Sequence, residues 1–551
     1  MRGSRAKLVG VSLAVAVLLG GLTPALQAGQ TADSRSPAVC GPKDTPETGI
    51  QGDVPKADQQ DGRAEQGYNC GLAVVGHNDL GGDPSSSLAW SGNCAYVQSR
   101  GARVVHVIDV SDPTAPRLAT DLPTGGASEN LHAVTNAQRA ILVAARGAGA
   151  GENVNNVDVY DVRQCTAPVH LGAIKFPIAP IPNPAGPVHN VELDPSATHV
   201  YGSIPLQQAD ITNLADPSTW TVRNFQCEIF AQVFSQGATN SPGPANPCDV
   251  TTIPPAMAHE FEFNSSGTRM YIGGQQDFQL YDQDLKVLDM TTWPPKVISI
   301  TPGPGHGIRR ATIGGKPFLL NSDETAPPTT VANAVLSPAS RVLGTGIPRA
   351  PAVDNAFANG CIPEAATPFA GTAQSLLTDI SDEKAPVTKS QLRLAINDPA
   401  NCAAQVDSQV NSTVHYNTVD DPDHTTFAML SMKNAGLRVW DVRNPSSPAE
   451  VAYFNPGQYR TDDGSTTLDR TRMHTYYQTS TGTIWLLSES GGFWVLELEP
   501  RVRTALGLPA RHANNRDGRP ARSADLSSPA TVVAVKPLSA PLGALSYYCR
   551  W

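Results

Sequence analysis

One unit recurs along this chain, and few folds accommodate it. A short Val/Ile-rich strand ends in an Asp-turn at VIDVSDPTAP (closing on Pro116), VYDVRQCTAP (Pro168), LTDISDEKAP (Pro386) and VWDVRNPSSP (Pro448). The Asp carboxylate accepts hydrogen bonds from backbone a couple of residues on, and the prolines cannot continue a ladder, so each strand must stop and turn there. Degenerate copies surround Asp210 (ADITNLADPSTW) and Asp282 (LYDQDLKVLDMTTWPP), and VLELEP at Glu499-Pro500 is the last. The unit has a front half as well. His132-Ala-Val, His189-Asn-Val, His259-Glu-Phe, His306-Gly-Ile, His415-Tyr-Asn and His474-Thr-Tyr each open a strand. A second strand follows each: ILVAA, HVYGSI, RMYIGG, PFLLNS, FAMLSM and IWLLSE. The clearest copy spans 413–448 and reads as three short strands, rich in β-branched and aromatic residues and bounded by Asp, Pro, Gly or Asn.

Such a unit cannot bury both faces alone. The shortest spacing between the histidines, 47 residues from His259 to His306, is near the repeat length of a four-stranded propeller blade. The chain has 551 residues with 47 Gly, 47 Pro and only 16% charged residues, which suits a turn-rich all-β protein. The first unit, from Ser87 to Val110, has no histidine opening its first strand, and the seventh, from His474, lacks a fourth strand. An orphan strand at 72–76 precedes them all. Pairing it with the last unit gives seven complete blades and no open sheet edge. The expected fold is an all-β, seven-bladed β-propeller over 70–500, with 29–69 as an N-terminal extension and 501–551 as a C-terminal tail.

The Asp-Val-Ser-Asp-Pro-x-x-Pro ending after a Val/Ile-rich strand, with Ala-Tyr-Val in the strand before it, resembles the LVIVD repeat of bacterial secreted β-propellers. The likeness covers roughly 70–500; it is specific in blades 1, 2 and 6, fair in 5 and poor in 3, 4 and 7. It implies an extracytoplasmic propeller and assigns no activity. Three stretches depart from the repeat: 147–156 in blade 2, 225–256 after blade 3, and 324–371 inside blade 5. They are too polar and turn-prone to be blades, and long loops are where function concentrates.

Residues 1–28 read as a signal peptide. Arg2, Arg5 and Lys7 precede an apolar run from Leu8 to Leu22, and Leu26-Gln27-Ala28 resembles a cleavage site. No second hydrophobic segment follows, so no membrane span is expected after its removal, and the protein is expected to be secreted. The net charge of −10 argues against nucleic acid as a partner. All nine cysteines follow the expected cut, so disulfides are expected. Cys227 with Cys248 and Cys361 with Cys402 bracket loop-like insertions and are the first choices, with Cys70–Cys94 next.

In a propeller the first strand of each blade lines the central channel, so residues that open those strands gather at one mouth. His132, His189, His259, His306, His415 and His474 hold that position in six blades. Neutral imidazoles converging on an axis are a ligand set for a transition metal (Cu, Zn or Fe) at about 2.0–2.1 Å. The same residues are equally able to bridge ring nitrogens to the backbone of the next blade, a purely structural use. Asp323, Glu324 and Glu489 end second strands on this face, and Arg309-Arg310 follow His306. His77 stands either at the mouth or in a turn. Asp420, Asp421 and Asp423 lack the Gly and the twelfth-position Glu of an EF-hand and read as a solvated hairpin turn. The sequence has no G-x-S-x-G, no Walker loop, no H-E-x-x-H and no dinucleotide fingerprint. Three functions follow: an extracytoplasmic binding module for an unknown extracellular ligand or protein; a metal-dependent oxidoreductase using the channel histidines, with Glu324 or Glu489 moving a proton; and a lactonase or other hydrolase.

Overall fold

The computed structural model describes residues 32–33, 37–123, 131–146, 156–176, 188, 190–203, 206–225, 228–229, 232, 259–273, 284–302, 306–322, 375–398, 401, 412–461 and 464–509. Seven sheets, each built on four antiparallel strands, form the seven-bladed β-propeller that the repeat predicts. The blades span 85–122, 131–175, 191–224, 260–302, 307–392, 416–455 and 476–498.

The Asp-turns are built as their chemistry requires. Asp109 Oδ1 accepts from Ser111 N–H at 3.0 Å, Asp161 from Arg163 at 3.0 Å, Asp379 from Ser381 at 2.9 Å and Asp441 from Arg443 at 3.0 Å. In blade 4, within LYDQDLKVLDMTTWPP, Asp289 accepts from Thr291 N–H at 2.9 Å, and Asp282 lies outside the described residues. The strand there runs on to Asp289 because Leu285, Val287 and Leu288 are buried and hold it in the sheet. Opposite the residues just before the Asp, the fourth strand of blades 1, 2, 4, 5 and 6 carries a bulge, with Ala119, Leu171, Ile298, Lys389 and Val451 as the extra residue. A bulge adds twist, which each blade needs to pack face to face on the next.

The core lies between blades. Tyr96 and Val107 of blade 1 pack with Leu142 and Tyr160 of blade 2, and Leu377 and Leu392 of blade 5 with Leu430 and Trp440 of blade 6. The ring closes through Leu88, Val97 and Ile108 of blade 1 against Trp485, Phe493 and Val495 of blade 7. Blade 7 takes its outer strand from the start of the chain: Leu72–Asn78 runs antiparallel to Gly492–Leu498. After Leu498 the chain turns into a short helix, Pro500–Leu506, whose Val502 and Leu506 cover the cluster shared by blades 6 and 7.

The extension wraps blade 6, where Tyr68–Cys70 adds a fifth strand beside Ala449–Asn455. Fully buried Arg438 reaches Glu47 of the extension and, at 3.1 Å, Glu450 of its own blade.

The disulfides among the described residues are Cys40–Cys70 and Cys94–Cys165. This corrects the expected Cys70–Cys94 pair. Cys94 opens the second strand of blade 1 and faces Cys165 in the Asp-turn of blade 2, whereas Cys70 sits on the strand added to blade 6. Cys227, Cys248, Cys361 and Cys402 lie outside the described residues, as do residues 1–31, 510–551 and nearly all of the three insertions. Among the described residues, no helix is long and apolar enough to cross a membrane.

Candidate functional site

Three of the channel histidines form a chain of clamps. His259, His306 and His415 each stand just before the first strand of their blade, tied to their own second strand through N–H bonds to Gly273 O (2.7 Å), Ser322 O (2.8 Å) and Ser431 O (2.9 Å). Each ring reaches across to the next blade. His259 Nδ1 is 3.0 Å from the carbonyl of His306, His306 Nδ1 is 3.0 Å from that of His415, and His415 Nδ1 bonds the carbonyl of Arg472. A carbonyl only accepts, so Nδ1 carries the proton and Nε2 is the acceptor or ligand nitrogen of each neutral ring. The rings of His259 and His306 stack at 3.6 Å, and His306 and His415 lie 4.7 Å apart.

His132 and His474 join a different group. His132 is the second residue of Leu131–Thr135, and its Nδ1 accepts from Leu193 N–H at 2.9 Å, so the neutral ring carries its proton on Nε2. That nitrogen lies 3.1 Å from Glu192 Oε1. His474 Nε2 lies 2.6 Å from Glu260 Oε1, with the Tyr416 ring tilted against the imidazole at 3.9 Å. At the centre is Arg309, whose Nη2 is 2.7 Å from Glu260 and whose Nη1 is 3.3 Å from Glu262. Arg310, one residue on, lies 3.7 Å from Glu262 and 2.5 Å from Asp423.

These neighbours divide the carboxyls. Burial would raise Glu260, but Arg309, His474 and the Ile308 N–H at 2.6 Å hold it below the usual range. For Glu192 burial prevails over Arg309, and Glu262 and Glu260 add to it, so its acid is raised well above normal. Glu262 is raised as well, its burial outweighing Arg309 and Arg310. Burial pushes His132 down to about 3, with Arg309 and His474 adding to the effect. The arrangement thus holds a guanidinium and carboxyl groups of divergent acidity at fixed positions, which are means of orienting a polar ligand.

A second charged group stands where second strands end. Glu489 follows Thr483–Ser488, and Arg470 (2.6 Å), Arg100 (3.6 Å) and Arg472 (4.0 Å) surround its carboxylate. Burial would raise Glu489, but Arg472, Arg470 and Arg100 bring it below normal. Arg100 comes from the end of the second strand of blade 1, so this group straddles the seam where the ring closes.

The other candidates are dispersed. His77 lies within the closing strand, stacked on Trp494 at 3.7 Å, and so belongs neither to the mouth nor to a turn. Asp420 is buried rather than solvated; it accepts from Thr426 and Phe427 N–H at 2.9 and 3.1 Å, and burial raises it to about 6. His189, Asp323 and Glu324 lie outside the described residues. Glu192, Glu260 and Glu262 escaped the sequence reading. Their signal was present, since Val191-Glu192-Leu193 and Glu260-Phe261-Glu262-Phe263 place acids between buried apolar residues in innermost strands. An acid there must face the channel or a neighbouring blade.

Fold and site together define a seven-bladed propeller whose channel is edged by histidines and charged within. More particularly, a family model described as the LVIVD repeat matches residues 81–124, which take in all of blade 1, and 426–455, the second to fourth strands of blade 6. The matched segments do not include blade 2, where the likeness also reads as specific. No curated protein matches the chain.

Proposed function

We propose that this LVIVD-repeat propeller is an extracytoplasmic binding module that takes an acidic ligand at the mouth of its channel. The observation carrying this reading is the gathering of Arg100, Arg470 and Arg472 on Glu489 at the seam between blades 1 and 7. Planar guanidiniums held in place by a carboxylate are suited to bidentate recognition of carboxylate, phosphate or sulfate groups. The apolar segment before Ala28 and the two disulfides support an extracytoplasmic setting. The test is calorimetric titration with citrate, inorganic phosphate and uronic or sulfated oligosaccharides. Saturable binding that Arg470→Ala abolishes without lowering the melting temperature supports the reading. Absence of binding by every probe overturns it. Amino-terminal sequencing of exported protein, expected to begin after Ala28, tests the setting separately.

A second reading, a metal-dependent enzyme using His132, His189, His259, His306, His415 and His474, draws support from the clamped tautomer of His259, His306 and His415. Anchoring Nδ1–H on a carbonyl is how a ligating imidazole is oriented to offer Nε2. Elemental analysis of untagged protein decides it: near-stoichiometric Cu, Zn or Fe, lost in His259→Ala/His415→Ala, supports a metal centre. Metal-free protein that takes none up removes this reading.

A further inference from the structure

Outside the channel, one more cluster combines metal-ligating side chains. Cys40 Sγ, Cys70 Sγ and a carboxylate oxygen of Asp44 all lie within 4.8 Å of one another, the one such set of three His, Cys, Asp or Glu ligands among the described residues. Cys40 and Asp44 come from the N-terminal extension and Cys70 from the strand it adds to blade 6. The Asp44 side chain is wholly buried. Its Oδ2 is saturated by the N–H groups of Gly41 (2.6 Å) and Gly71 (3.0 Å) and by Arg501 Nη2 (2.6 Å), whereas Oδ1 is buried without a hydrogen-bond donor. Leaving a buried carboxylate oxygen without a donor is costly, and this one belongs to a carboxylate that lies beside two sulfurs.

We propose that Cys40, Asp44 and Cys70 are a redox-gated site for a divalent thiophilic ion of the zinc type. In the oxidised protein the two sulfurs are bonded to each other and the site is shut. A dithiol reductant breaks the Cys40–Cys70 bond by supplying two electrons and two protons, and is itself oxidised to a disulfide. The ion then displaces the two thiol protons and takes both thiolates and Asp44 Oδ1 as ligands, at about 2.3 Å to sulfur and about 2.0–2.2 Å to oxygen. Its two charges match those of the two thiolates, so Arg501 continues to balance Asp44. The bonds of Gly41, Gly71 and Arg501 to Oδ2 are the outer shell that aims Oδ1. Cys40 is partly exposed, so a reductant has access. The site would link the docking of the extension on blade 6 to the redox state and metal content of its surroundings.

The test uses the full chain, reduced anaerobically with a water-soluble phosphine, which becomes the phosphine oxide with oxygen from water. It is then titrated with Co(II), whose bonds to thiolate absorb in the near ultraviolet. The proposal expects one equivalent more of thiolate-bound cobalt than in Cys40→Ser/Cys70→Ser, displaced by zinc, and no such uptake before reduction. Asp44→Asn keeps both cysteines, guards against a misfolded double variant, and should weaken that uptake about tenfold or more. Equal uptake in wild type and Cys40→Ser/Cys70→Ser overturns the site. Unchanged affinity in Asp44→Asn overturns the role of the carboxylate and with it the three-ligand proposal.

Discussion

His259 donates its Nδ1 proton to the carbonyl of His306 at 3.0 Å while the two imidazoles stack with centroids 3.6 Å apart. The same contact repeats from His306 to His415, so residues that open first strands are bolted blade to blade. A duplicated unit that carries its own inter-blade clamp explains the recurrence of the histidine. It also places any channel chemistry on rings whose orientation the backbone dictates.

His306 is the test of the clamp, since its ring donates and its carbonyl accepts. His306→Ala removes a buried hydrogen bond and a stacked ring, and should cost about 2 kcal/mol or more. His306→Asn restores a donor near Nδ1 and should recover part of the loss. Guanidinium denaturation midpoints measure both. An unshifted midpoint for His306→Ala would discard the clamp and leave the ring to ligand chemistry.

His106 sits with both ring nitrogens on carboxylates, Nδ1 2.7 Å from Asp121 and Nε2 3.2 Å from Asp83. Burial alone would lower its pKa, but bonds to Asp83 and Asp121 prevail and raise it above the ordinary 6.5. A raised folded pKa means the folded state holds the proton more tightly. Its stabilisation is therefore complete below the unfolded value and disappears as pH rises through the folded one. The stability gap between wild type and His106→Gln should be widest below the ordinary 6.5 and narrow as pH rises above it through the raised folded value. A gap that widens with pH would mean the ring is held neutral.

Arg438 tests the extension as part of the fold. Its guanidinium is fully buried between Glu47 and Glu450, and Gln51 Nε2 donates to Glu450 at 2.7 Å. Glu47→Ala leaves a buried cation short of a partner, which should cost about 3–5 kcal/mol. It should also loosen 37–67, seen as faster cleavage there in limited proteolysis. Equal cleavage rates would show that Cys40–Cys70 alone retains the extension.

The fold was legible because its rules are local: Asp, Pro and β-branched residues act within a few positions, and repetition multiplied a weak signal. Asp441 shows this, since its bond to Arg443 N–H follows from the chemistry of one turn. The site was legible only as a position. Knowing that His474 opens a first strand puts it at the mouth, but its partner Glu260 is 214 residues away, and only the closed ring brings the two together. The disulfides show the same limit. Cys94 and Cys165 lie in neighbouring blades 71 residues apart, so proximity in sequence pointed Cys94 toward the wrong partner.

Arg309 provides the sharpest test of the channel. It is the cation shared by Glu260 and Glu262, with Glu192 contributing to its field, and these acids raise its pKa although burial would lower it. Arg309→Met fills similar space and removes that charge. Glu260, now held below its ordinary 4.5, should then rise above it, and Glu262 and Glu192 should rise further. Carboxyls with folded pKa values above the unfolded value lose stability as pH rises. The variant should therefore be destabilised by about 3–5 kcal/mol near neutral pH and approach wild type as pH falls toward about 4.5. Thermal melts across that range measure it. A deficit constant with pH would mean the channel acids draw their counter-charge from elsewhere, and Arg309 would then be a packing residue rather than the electrostatic centre of the site.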